Sequence, residues 1–197
     1  MSDDTKPPER IDATLVAAGR YHDIDFARRE LLGLLGEHDH VRVRVTDSYD
    51  DTDAIAASRF LVTYTCDLRP TNAQQQALRE YVEGGGRWLA LHGTNAVLDF
   101  TEKGVAAPEI IDTMAFTLGS QFIAHPPIQP YTVECCAPEH PLVKDIPAFE
   151  TDDELYLCRY HEKDKLIPLL STHYSGDAAG FLESDWSHAD EHLVMYL

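Results

Sequence analysis

The sequence predicts a doubly wound, mostly parallel α/β sheet, and three observations carry that expectation. Strand-like apolar runs alternate with helix-like stretches in the order β-α-β-α-β-α-β through the first half of the chain, as parallel strands joined by right-handed crossovers do. Glu83-Gly84-Gly85-Gly86 stops a helix just before the apolar run 88–91. Glycine takes the left-handed conformation a helix C-cap needs, and a continuous apolar run suits a strand covered on both faces. His92-Gly93 follows at the strand's carboxyl end, where open α/β sheets place their ligands.

Taken in order, residues 1–10 are polar and acidic and read as a disordered leader before a single α/β domain over 11–197. Residues 13–18 form a short apolar strand. Phe26, Glu30, Leu31, Leu34 and Leu35 lie at helical spacing and predict a helix over 26–35. Val41-Arg42-Val43-Arg44-Val45 alternates strictly, which predicts a half-exposed strand near a sheet edge. A short helix over 53–59 and a buried strand over 60–64 come next. Thr71 with Gln74 three residues on gives a capping box for a helix ending at Val82. Beyond residue 95 the pattern loosens to a helix over 110–118 and strands over 131–136, 154–158 and 166–170. Prolines at 126, 127, 130, 138, 141 and 147 shape long loops there, and such loops commonly carry sites. The chain closes on the apolar run 193–197, which reads as an unfinished last strand.

Composition bounds the function. A chain of 197 residues with 44% hydrophobic content is globular. No stretch reaches the roughly 20 apolar residues of a membrane-spanning helix, and residues 1–10 lack a signal's apolar core, so the expected location is cytoplasmic. A net charge of −18 disfavours nucleic acid and anionic membranes as partners. Cys66, Cys135, Cys136 and Cys158 contain no C-x-x-C spacing and read as reduced thiols.

The turns after the first, third and fourth strands should line one crevice. They hold His22 and Asp23, then Thr65, Cys66 and Asp67, then His92, Gly93 and Thr94. Such histidines and carboxylates suit metal ligation, general acid–base work or sugar hydrogen bonding, and equally the capping of turns. His125 before Pro126 projects from a stiff loop. Glu139-His140-Pro141-Leu142 reads as a structural turn. In Thr151-Asp152-Asp153-Glu154-Leu155-Tyr156, Asp153 or Glu154 points inward as a candidate acid, against the commoner solvated run. His38, His40, His161, His173, His188 and His192 have no committing spacing. An elbow nucleophile would be Ser or Cys between small residues; here that position is His92, which excludes an acyl-enzyme on it. Neither G-x-G-x-x-G nor a P-loop occurs.

Gly19-Arg20-Tyr21-His22-Asp23, Leu91-His92-Gly93, Phe122 with His125-Pro126, Glu139-His140-Pro141-Leu142 and Asp153-Glu154-Leu155-Tyr156 occur in the order seen in ThuA-like (trehalose-utilisation) proteins. Over roughly residues 13–160 the chain resembles that family. The resemblance implies the flavodoxin-like, three-layer sandwich of class I glutamine amidotransferases with an altered nucleophile elbow. It implies carbohydrate chemistry on trehalose-related disaccharides or keto-sugar derivatives. His92, His22 and Glu154 are then the expected catalytic groups, Asp23, Thr65 and Tyr156 the substrate-binding ones, and His92 with His125 ligands for a divalent metal such as zinc or manganese. Family members usually continue into a final strand ending in Gly-His, and this sequence stops at Leu197. The expected partner is a small sugar, with a homodimer as the base-rate assembly. The competing reading is a non-catalytic sugar-binding or assembly module on an amidotransferase-like scaffold without its cysteine.

Overall fold

In a computed structural model that describes residues 8–197, the first strand β1 (Ile11–Gly19) is apolar from Ala13 to Ala18 and buried throughout that stretch. It pairs in parallel with β2 (Val41–Thr46) on one side and β3 (Phe60–Cys66) on the other, and β4 (Arg87–Leu91) pairs with β3. The strand order is β2-β1-β3-β4. Helices α1 (Ile24–Gly36), α2 (Thr52–Ala57) and α3 (Asn72–Glu83) make the crossovers. The alternating 41–45 segment lies at the sheet edge, as its pattern predicts.

Local chemistry sets these boundaries. Asp23 caps α1 by accepting from Phe26 N, and Asp51 caps α2 by accepting from Ala54 N. Both halves of the Thr71–Gln74 capping box form at the start of α3. Gln75, 2% exposed, satisfies its buried amide three ways. Its Nε2 donates to Pro70 O and Ile110 O, and its Oε1 accepts from Met114 N. That amide ties α4 (Asp112–Leu118) to α3, because a buried unpaired amide would cost about 1–3 kcal/mol.

The chain falls into two compact units. One takes the residues up to Val97 with Ile110–Thr117, the other Leu98–Glu109 with Leu118–Leu197. The second unit pairs its strands antiparallel. β5 (Asp99–Thr101) and β6 (Gly104–Ala106) form a hairpin, and β7 (Ser120–Ala124) pairs with β10 (Leu157–Tyr160). A four-stranded sheet runs β12 (Glu191–Tyr196), β11 (Pro168–His173), β8 (Gln129–Cys135), β9 (Phe149–Asp153). Its core joins Ile123, Leu157, Ala178 and Trp186, with a second cluster of Val133, Val143, Leu169 and Leu170.

Several expectations need correcting. Parallel pairing joins only the first four strands, and the later named strands pair antiparallel. Run 88–91 is not covered on both faces: Leu89 is 49% exposed. The strand placed at 154–158 begins only at Leu157, as β10, and Glu154 lies in the connection from β9. Run 193–197 falls in the paired strand β12 up to Tyr196, as the strand reading expects. The expected leader falls mostly on residues 1–7, outside the described residues; residues 8–10 are exposed and irregular. Among the described residues no helix is long and apolar enough to cross a membrane.

Candidate functional site

Parallel pairing aligns the carboxyl ends of β1, β3 and β4: Gly19 faces Cys66, and Tyr64 faces Leu91. Just past each end stands a non-glycine residue with positive φ, namely Tyr21 at 72°, Asp67 at 52° and His92 at 49°. Such conformations cost about 1–3 kcal/mol each and persist where surrounding structure imposes them. Two glycines impose it here. A Cβ on Gly19 would lie 1.9 Å from Cys66 O, and one on Gly93 would lie 2.6 Å from Thr65 O. Strand β4 therefore turns sharply at His92 into a 3-10 turn, His92–Asn95. Thr94 locks that turn: its hydroxyl donates to Leu91 O at 2.8 Å, with Thr63 O 3.2 Å away.

The turns bring His22 and His92 together. Their ring centroids are 4.4 Å apart at 72°. Tyr64, the last-but-two residue of β3, stacks on His92 at 5.6 Å and 16°, and His22 meets its edge at 6.5 Å. A neutral imidazole carries one proton and one lone pair, so the pair presents donors and acceptors side by side. Asp67 is buried and held by Arg69 at 2.9 Å, with Arg20 at 3.9 Å. Beside His22, a cavity of about 490 Å³ opens between the ends of β1 and β2, lined by Gly19, Asp23, Asp25, Arg28 and Asp47.

The other expected residues of this unit lie as follows. Asp23 lines that cavity while one carboxylate oxygen caps α1. Thr65 is 1% exposed, its Oγ1 3.5 Å from the hydroxyl of Tyr49. Burial pushes that tyrosine's pKa up to about 12.

The second unit pairs His125 with Glu154. Nδ1 of His125 lies 2.7 Å from the carbonyl oxygen of Pro126. A carbonyl only accepts, so Nδ1 carries a proton. That Nε2 is 3.8 Å from Glu154 Oε1. Of the acid run, Asp152 and Asp153 are exposed and Glu154 is half-buried, so Glu154 is the inward carboxylate. Tyr156 packs edge-on against Phe122 at 4.5 Å, and Phe181 meets His125 at 4.9 Å. His140 sits in a turn, its carbonyl accepting from Val143 N and Lys144 N. All four cysteines are free thiols, with Cys66 and Cys158 buried.

Sequence reasoning missed Tyr64 and Phe181. An aromatic residue inside a strand reads as core, and only the aligned strand ends place Tyr64 on His92. Phe181 sits in a loop without periodicity, so no signal marked it.

Fold and turns define a class first: an α/β protein whose sharp turn at the end of β4 carries an imidazole. The chain belongs to the ThuA family, described as trehalose utilisation, whose model matches residues 13–191. Among solved structures it is similar to a protein from Bacteroides uniformis ATCC 8492 described as ThuA-like. That match has a TM-score of 0.68 at 17% identity and covers 99% of this chain and 85% of that one. A protein from Parabacteroides merdae ATCC 43184 with the same description matches at TM-score 0.57 and 16% identity, over 94% and 79%. A protein from Thermoplasma acidophilum described as a GMP synthase component matches at TM-score 0.52 and 11% identity, over 84% and 75%. These likenesses show the fold alone. No curated protein matches the chain significantly.

Proposed function

We propose that this protein acts on carbohydrate, on trehalose-related disaccharides or their keto derivatives, through imidazole and carboxylate chemistry without a thiol. The observation that carries the reading is the His22–His92 pair, 4.4 Å between ring centroids in the turns after β1 and β4. One imidazole takes a proton from a sugar hydroxyl while the other donates one, the ordinary work of general acid–base catalysis. Glu154 supplies the carboxylate of the reaction, and Asp23 and Tyr156 bind the sugar's hydroxyls and ring, whereas Thr65, 1% exposed, is buried away from a ligand. The doubly wound three-layer sandwich of the amidotransferases, with its thiol elbow rewritten as His92, belongs to this reading, as do a cytoplasmic location and a homodimer.

A divalent metal fits the donor chemistry. His125 holds Nδ1 on a backbone carbonyl, which leaves Nε2 as a ligand atom in the orientation metal-bound histidines commonly show. In the first unit His22 and His92 offer ring nitrogens within 4.8 Å of each other, and zinc or manganese held there would supply an acidified water. Metal analysis of the purified protein with sugar-binding measurements tests the reading. Stoichiometric zinc or manganese that is lost in His92→Ala supports it. No metal, with sugar binding unchanged in that variant, overturns it in favour of a non-catalytic binding module. That second reading draws on the same observation, since a histidine at an elbow is what a scaffold shows after losing its nucleophile.

A further inference from the structure

The loop after β11 carries an aromatic ring to His125. Phe181 lies 4.9 Å from the imidazole centroid at 69°, and 5.8 Å from Phe122. Main-chain bonds clamp the residues on both sides of it. Val105 N donates to Gly180 O at 2.8 Å, and Leu182 N donates to Val105 O at 2.9 Å, with a parallel bridge between Val105 and Phe181. The ring itself packs against the core cluster of Ile123, Leu157 and Trp186. The hairpin β5–β6 thus fixes where the ring stands.

His125 needs such a wall. Rotation about the bond to an imidazole ring is soft and roughly two-fold, so packing must choose the orientation. The bond from Nδ1 to Pro126 O is to the next residue in sequence, and water competes for it at a half-buried site. Phe122 touches the ring less closely, at 6.2 Å and 42°.

We propose that Phe181 is a positioning residue that holds the His125 imidazole with Nδ1 on the Pro126 carbonyl and Nε2 toward Glu154. The inference rests on the reading that His125 and Glu154 serve the reaction, and it adds the residue that fixes their mutual geometry.

Ring ¹⁵N chemical shifts of the full-length, histidine-labelled protein test it, because protonated and lone-pair nitrogens resonate far apart. Wild-type His125 should be the Nδ1–H tautomer. In Phe181→Ala, and in Phe181→Leu, which keeps apolar bulk if the alanine variant misfolds, the Nε2–H population should rise at least threefold. Phe181→Tyr should restore the wild-type shifts. His192 lies in the same unit with Nε2 3.0 Å from Tyr174 O, and its unchanged signal certifies the fold. Wild-type His125 shifts persisting in both the alanine and leucine variants overturn the positioning role alone. A wild-type His125 whose Nδ1 carries no proton overturns the bond to Pro126 O, and the inference with it.

Discussion

The two units reach their geometry by different means. In the first, main-chain register does most of the placing. Two parallel pairings align the ends of β1, β3 and β4, and glycines at 19 and 93 let the turns close against β3. His22 and His92 meet because their turns are forced. In the second, strands pair antiparallel, and side-chain packing around Leu157 and Trp186 holds the loops. His125 and Glu154 come from loops that no crossover positions. The lesson is that a site residue at a parallel strand end is set by backbone sterics, while one on a packed loop depends on its neighbours' side chains.

The largest expected effect breaks the first mode. Gly19→Ala puts a Cβ into Cys66 O at a φ of +114°, and it should cost about 4 kcal/mol of stability. Denaturant unfolding measures this, and a loss below about 1 kcal/mol would show that the turn relaxes and that register does not dictate it. Next comes the packing of the second unit. Leu157 is 0% exposed, so Leu157→Ala should cost about 3 kcal/mol. Hydrogen exchange should show the loss first in β7 and β10, which pair directly. Smaller is Thr71→Ala, which removes the hydroxyl that accepts from Gln74 N and leaves the main-chain N–H of residue 71 on Gln74 Oε1, and should cost about 1 kcal/mol in thermal unfolding.

The smallest effect is a pH dependence. His192 is 1% exposed, its Nε2 on Tyr174 O and Asp190 nearby. Burial lowers its pKa from the ordinary 6.5, which favours the neutral imidazole in the folded state. The unfolded chain then binds the extra proton first, so this contribution is whole above about 6.5 and is lost as pH falls below it toward the depressed folded value. Unfolding midpoints across pH 5 to 7.5 should fall on the acid side, with a shallower fall in His192→Gln. Equal slopes in both proteins would remove His192 from the account.

Legibility followed the same division. Signals bound to local sequence came through: the alternation at 41–45, the Thr71–Gln74 box, the glycine stop before β4, and a histidine at that strand's end. Exposure of Leu89 was not legible, because an apolar run reports hydrophobicity and not which faces the fold covers. Strand β9 was missed since Phe149-Glu150-Thr151-Asp152-Asp153 is acidic, and pairing with β8 makes it a strand where composition would not. Tyr64 escaped because its contact with His92 arises from register between strands. The contact of Phe181 with His125 depends on a loop clamped by a distant hairpin, which no local pattern encodes.

The measurement that bears most directly on the central claim compares two variants on one assay. Turnover of trehalose-type disaccharides and their keto derivatives should fall by about 10²–10⁴-fold in His92→Ala, the scale of losing a general acid–base group. In Cys66→Ala, where only a buried thiol at a neighbouring strand end is removed, turnover should stay within a few fold of the wild type. Activity abolished by Cys66→Ala and retained by His92→Ala would contradict imidazole chemistry in this protein.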